Sequence, residues 1–229
     1  MVRRVPNRNK RNQGLTLLES LVAIVVIAVS MAATAPLIVL AVGTRVQNQR
    51  SDQAMQLAQA EIDRLRLIVE RGDRDSIGAV NALVPAAPNT VVSVPDFEAG
   101  VPAPESVSAV LYTSDYNYAN PVDVDNDGVT DFAVQLFRNT TSTTTTGVAL
   151  DFGVRVYRAT AIENYTAAQL ATDSANLGLT AGEGNSGRAP LAVVYTTAFK
   201  SNAESSLCDY YDYINSTTGT STTAPAGTC

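Results

Sequence analysis

Residues 15–43 form a run of 29 residues in which Glu19 is the only ionisable side chain. As a helix such a run rises about 43 Å, more than the roughly 30 Å of a bilayer's hydrocarbon layer, so a membrane-spanning helix is expected. A secretory signal peptide is the competing reading, with Ala33-Thr34-Ala35 as a small-residue cut site. Against it, the apolar run continues to Val42, and Pro36 would follow the cut directly. Glu19 is the anomaly in the run. A carboxylate inside an apolar helix costs on the order of 2 to 3 kcal/mol unless compensated, and the segment holds no cation. Its counter-charge must come from a lipid head group, another chain or an amino terminus newly made by proteolysis. The plainer alternative is an anchor whose Glu19 reaches back to the interface.

Charge is distributed unevenly around this run. Arg3, Arg4, Arg8, Lys10 and Arg11 precede it with no acid among residues 1–14, leaving 11 bases against 22 acids in residues 15–229. A basic flank beside a spanning helix marks the cytoplasmic side, and an acidic body argues against nucleic acid as a partner. The chain contains no histidine, so the usual general base and the commonest zinc ligand are missing. No Gly-x-Ser-x-Gly or Ser-x-x-Lys pattern occurs either, and an enzyme is not expected. The two cysteines are Cys208 and Cys229. An even count in a chain with an export signal favours a disulfide, with two free thiols as the alternative.

Gly14-Leu15-Thr16-Leu17-Leu18-Glu19, after a short basic leader and opening a long apolar helix, closely resembles the prepilin peptidase site of type IV pilins and type II secretion pseudopilins. The resemblance implies cleavage between Gly14 and Leu15, N-methylation of Leu15, and retention of the helix. Counted from Leu15, Glu19 and Pro36 fall where the family places an acid and a proline. It also supplies the missing cation, because cleavage creates an α-ammonium that can pair with Glu19 of a neighbouring subunit. Pro36 lacks an N–H and crowds the preceding turn, so it is expected to kink or loosen the helix; a tolerated membrane proline without special role is the alternative.

Beyond Gly43 the pattern stays helical but becomes one-sided: Ala54, Ala58, Ile62, Leu65 and Val69 recur at three- and four-residue steps, a stripe suited to covering a sheet. The predicted organisation is therefore a leader over 1–14 and a helix over 15–72, spanning over 15–43 and amphipathic over 44–72, with Gly72 as C-cap. A β-rich head follows over 73–229. Prolines 85, 88, 95, 102 and 104 make 73–106 an extended connection wrapping the helix, with strand fragments such as 90–94. Strands are predicted at 107–112, 131–137, 148–160 and 191–199, and a short helix at 167–177. The fold class is α+β, a long N-terminal helix packed on an antiparallel sheet, as pilins have. Threonine-rich 140–146 and 216–223 read as exposed loops. A Cys208–Cys229 bridge would resemble the disulfide-bounded C-terminal loop of many pilins and stabilise by roughly 3 kcal/mol. Tyr210, Tyr211 and Tyr213 inside it form either a contact surface or part of the core.

Asp123, Asp125, Asp127 and Asp131 stand at relative positions 1, 3, 5 and 9 of an acidic loop, with Gly128 at 6. Hard oxygen donors at this spacing suit Ca2+, although Val134 stands where an EF-hand has its bidentate Glu. An acidic surface turn without metal is the alternative, and no motif requires any other cofactor. Taken together, the resemblance implies a minor pilin or pseudopilin of a type IV pilus or type II secretion-like filament. Its partners would be prepilin peptidase, other pilin subunits and an inner-membrane assembly platform, with the head outside the cytoplasm. The stretch 53–72 resembles cyanobacterial pseudopilins that support hormogonium polysaccharide secretion. The alternative is a membrane-anchored adhesin or binding module that does not polymerise.

Overall fold

A computed structural model describes residues 16–71, 80, 82–88, 91, 93–139, 149–175, 187–199, 206–218 and 223. The chain divides into two compact units, residues up to Val46 and residues from Gln47 onward. The first is the apolar part of helix α1 (Leu17–Arg71), which is long and apolar enough to cross a membrane. None of the side chains described there is buried.

The second unit is an α+β head. Its sheet has strands β1 (Ser106–Val107), β2 (Tyr118–Val122), β3 (Phe132–Arg138), β4 (Ala149–Arg158) and β5 (Ala192–Phe199), ordered as they occur in the chain. From β2 to β5 every pairing is antiparallel, as expected; the two-residue β1 runs parallel to β2 and makes the sheet mixed. Alternation along β3 and β4 divides the sheet into two apolar faces. Phe132, Val134, Leu136, Leu150, Phe152, Val154 and Val156 form one core with the helix stripe Ala54, Ala58, Ile62, Leu65 and Val69, all buried. On the opposite face Phe137 packs with Val91, Phe97 and Val101, while Tyr157 packs with Ala161, Ile162 and Leu170. The connection after α1 passes from one face to the other. Val80 and Val84 join the helix-side core, Ala86 bridges to Arg138 at the end of β3, and Val91 onward covers the far face.

Several predicted elements change. The strand expected over 107–112 stops at Val107, because the Ser108 hydroxyl accepts the Val110 N–H at 3.1 Å and Asn120 Oδ1 the Tyr112 N–H at 2.9 Å. Tyr112 adopts φ 59 there. Of the fragment expected at 90–94, residues 90 and 92 lie outside the described residues; at its end Ser93 and Asp96 cap a 3-10 turn over Val94–Asp96, which leads into α2 (Phe97–Gly100). The strand expected to Thr160 ends at Arg158, where the chain enters α3 (Ala159–Asn164). The helix expected over 167–177 is a series of turns as far as Ala175. The Ala171 and Ala175 N–H groups donate to Arg188 and Pro190 carbonyls instead of an upstream turn. The threonine-rich loop expected from 216 begins inside α4 (Ser206–Thr218). Of the tyrosines, Tyr213 is half-buried and Tyr210 meets the Phe199 ring edge-on at 5.0 Å. Gly72 and residues 140–146 lie outside the described residues.

Two buried polar side chains tie the far face together. Arg155, fully buried, donates to the carbonyls of Phe97 at 2.7 Å and Val101 at 2.8 Å and to the Tyr195 hydroxyl at 2.9 Å. Asp151, 2% exposed, accepts from Thr197 Oγ1 at 2.6 Å and Asn139 Nδ2 at 3.2 Å. It is also hydrogen-bonded to Tyr213 on α4. Burial raises the Asp151 carboxyl above its ordinary range, although the Thr197 and Tyr213 hydrogen bonds pull the other way.

Candidate functional site: the N-terminal helix and the acidic loop

Thr16 starts α1. Its Oγ1 accepts the Glu19 N–H at 3.3 Å and its carbonyl accepts the Ser20 N–H at 3.1 Å. Thr-x-x-Glu is the sequence of a capping box, a signal for the start of the helix that spacing could have revealed and that the reading from the leader passed over. Glu19 lies in the first turn, where the helix dipole favours a carboxylate. The hydroxyls further along turn back onto their own helix. Ser20 donates to the Leu17 carbonyl, Ser30 to Val26, Thr34 to Ser30 and Met31, and Thr44 to Ala41. This internal pairing leaves the hydroxyls compatible with hydrocarbon, so Glu19 is the group whose charge the described segment does not balance. The helix runs through Pro36 without a break, so the loosening expected there falls short of interrupting it. Gly14 and Leu15, the expected cleavage and methylation residues, lie outside the described residues.

In the head, Asp123, Asp125 and Asp131 each offer a carboxylate oxygen within 4.8 Å of the others. The loop is shaped by its own acids: Asp123 accepts the Asn126 N–H at 2.6 Å and the Gly128 N–H at 2.8 Å, and Asp131 accepts the Val124 N–H at 2.9 Å. Asn126 and Gly128 take φ 60 and 89, the left-handed conformation tolerated by those two residue types. Asp127 stands outside the cluster, its carboxylate taken by the Val129 N–H at 2.8 Å; the structure thus brings together three of the four expected ligands. Asp125 accepts a hydrogen bond from the Asp127 N–H, which favours its ionised form. Desolvation and the charges of Asp127, Asp131 and Asp123 outweigh this and leave the carboxyl raised above its ordinary range. A cleft of about 270 Å3 opens beside the loop, with Arg50, Gln53, Asp125, Asp131, Phe132 and Arg158 on its walls. Cys208 lies half-buried on α4 and Cys229 outside the described residues.

The prokaryotic N-terminal methylation motif matches residues 9–35, covering the basic leader, Gly14, Leu15, Glu19 and most of the apolar run. This motif is the prepilin peptidase cleavage signal of type IV pilins and pseudopilins. It indicates a type IV pilin-like or pseudopilin precursor and implies processing by prepilin peptidase and assembly with other pilin subunits, and with the apolar helix it points to membrane anchoring. No curated protein and no solved structure matches the chain.

Proposed function

We propose that this chain is a structural subunit, a minor pilin or pseudopilin, of a type IV pilus or type II secretion-like filament, and that it carries no catalytic site. Cleavage between Gly14 and Leu15 frees an α-ammonium, N-methylated on Leu15, that pairs with Glu19 of a neighbouring subunit. Before assembly the chain sits in the inner membrane with its head outside the cytoplasm, and an assembly platform there moves it into the filament. The observation that carries this reading is the helix itself: between Leu17 and Val42 the described large apolar side chains are exposed, the hydroxyls are satisfied internally and the segment holds no cation for Glu19. Such a surface needs lipid or other helices around it, and such an acid needs a counter-charge from outside the segment. The filament's work is motility, adhesion or secretion, polysaccharide export included.

Two local assignments accompany this reading. Asp123, Asp125 and Asp131 would hold a Ca2+ ion, for which their hard oxygens and mutual spacing are suited. Cys208 would pair with Cys229, the one other cysteine in the chain, closing a C-terminal loop on α4. The main reading is tested by Gly14→Glu in the native host, with N-terminal sequencing of the membrane fraction and of sheared filaments. The expected result is an unprocessed precursor that is absent from filaments, while the wild-type product begins at Leu15. Normal maturation of the variant, or a processed wild-type chain that never enters polymer, would leave a plain tethered protein instead.

A further inference from the structure

We propose that the carboxyl groups of Glu98 and Asp173 form a proton-operated clasp, which closes the seam between the two segments covering the far face of the sheet and loosens it as pH rises. One cover is α2 with the residues around it, where Val91, Phe97 and Val101 pack over Phe137. The other is α3 with the turns that follow, where Ala161, Ile162 and Leu170 pack against Tyr157. The two apolar groups are separate clusters, so polar contacts govern the seam between the covers. Glu98 on α2 and Asp173 in the turns are both exposed, and their side chains are hydrogen-bonded to each other across that seam. A hydrogen bond between two carboxyl groups requires a proton, because ionised carboxylates offer only acceptors.

The backbones that carry the acids are fastened to the sheet beside one another. On the far face of β4, Arg155 Nη2 donates to the carbonyls of Phe97 at 2.7 Å and Glu98 at 3.4 Å, and the Tyr157 hydroxyl donates to the Ala171 carbonyl at 2.9 Å. The Ala171 and Ala175 N–H groups are held by the Arg188 and Pro190 carbonyls at 3.0 and 2.8 Å. These bonds keep the acids neighbours in either protonation state. With one proton the pair carries a single negative charge, which the Arg155 guanidinium offsets; without it, two like charges face each other and favour local opening. The neighbouring groups are engaged elsewhere or neutral. Asp96 accepts from the Ser93 N–H at 3.1 Å and hydroxyl at 2.8 Å, and the Arg188 guanidinium lies 4.7 Å from the Tyr165 ring centroid. Burial raises the Tyr157 and Tyr195 hydroxyls, so neither ionises near neutral pH. The Glu98 carboxyl is raised above its ordinary range by the Asp173 hydrogen bond, the Asp173 charge and desolvation, with Arg155 pulling the other way. The clasp is therefore fully closed below the ordinary glutamate pKa and is lost as pH rises through the raised folded value.

Amide exchange of the full chain in detergent tests this, read at each pH as the ratio of the wild-type rate to that of Glu98→Gln. The amide of Glu98→Gln donates to Asp173 without needing a proton, so this variant stays clasped at every pH; Asp173→Asn does the same from the other side of the seam. Between pH of about 4 and about 8, the ratio should rise from unity to about threefold over both 97–101 and 171–175. It should stay flat over 132–138 in the sheet, and Asp173→Asn as the reference should give the same curve. A ratio that does not change with pH, a rise shared by 132–138, or a rise confined to one side of the seam would each overturn the proposal. So would a pH-dependent ratio seen with only one of the two variants, since either amide removes the same shared proton.

Discussion

Replacing Arg155 by methionine keeps the length and apolar stem of the side chain and deletes its three short hydrogen bonds. The carbonyls of Phe97 and Val101, held at 2.7 and 2.8 Å, and the Tyr195 hydroxyl at 2.9 Å lose their donor in a place the side chain fills completely. A buried acceptor stranded in this way costs about 1–3 kcal/mol. The pair of carbonyls together therefore costs about 2–6 kcal/mol; the relief of no longer desolvating a cation, which takes several kcal/mol to bury, offsets about half of it, so the net loss should be about 1–3 kcal/mol. The guanidinium also lies 4.9 Å from the Phe137 ring centroid and 5.6 Å from that of Tyr195, which deepens the loss slightly. Denaturant unfolding of the full chain in detergent, followed by near-ultraviolet dichroism, measures the total. Amide exchange at 97–103 locates it, since α2 and the residues after it are what Arg155 fastens to the sheet. Arg155→Lys should fall between wild type and Arg155→Met, its single ammonium unable to reach all three acceptors. A loss below about 1 kcal/mol with unchanged exchange at 97–103 would refute the view that this arginine holds the connection in place.

Gly153→Ala would place a Cβ inside the contact distance of the Phe137 ring and 2.9 Å from Tyr195 Cδ1. Overpacking of about 1–3 kcal/mol should appear as a Tm lowered by several degrees, and an unchanged Tm would mean the rings move aside freely. Asp151 titrates above its unfolded value because of burial. The stability attached to its protonated form is therefore fully present below the ordinary carboxylate pKa and is lost as pH rises through the raised folded value. The stability of wild type relative to Asp151→Asn should accordingly improve as pH falls from about 7 to 4; a flat or opposite trend in paired melts would contradict the assignment. Removing Ca2+ with a chelator should lower the Tm of the wild-type chain and leave Asp125→Ala unmoved. A wild-type Tm indifferent to both chelation and added Ca2+ would identify the loop as an acidic turn.

The sequence made the helix and its two uses legible because each is written in a long period. A run without charge over 15–43 apart from Glu19, and a stripe at three- and four-residue steps from Ala54 to Val69, survive any tertiary context. Strands β3 and β5 were legible for a related reason, being apolar segments bounded by polar turns. The misplaced elements were decided by single side-chain contacts that carry no periodic signal. Asn120 captures the Tyr112 N–H and stops β1, and β2 itself hides behind Asn120-Pro121, since a proline is admitted at that point because no strand pairs beyond β1. The acidic loop shows the same limit at the scale of one ligand. Spacing alone nominated Asp127 with the other three, and only the backbone turn at Asn126 and Gly128 assigns its carboxylate to Val129.

A consequence follows from how α1 changes character along its length. From Ala54 onward Ala54, Ala58, Ile62, Leu65 and Val69 form one stripe, buried to 8% exposure or less against the sheet, so the head stabilises that half of the helix whatever surrounds it. From Leu17 to Val42 the described large apolar side chains remain exposed by more than half, and no described part of the chain buries them. Lipid and neighbouring helices therefore offer nearly equal dispersion and apolar contact to the same surface, since hydrocarbon is as apolar as leucine. A choice between two such similar environments is settled by the group they treat differently, and in this segment that group is Glu19. Head groups can meet it only at the bilayer's edge, whereas on the proposed reading a cleaved neighbour would bring an ammonium to it at the depth of the helices. On the proposed reading, Glu19→Gln should leave membrane insertion and cleavage intact and weaken entry into the filament. Its proportion in sheared polymer relative to wild type reads the difference directly, and equal proportions would remove Glu19 from the assembly step.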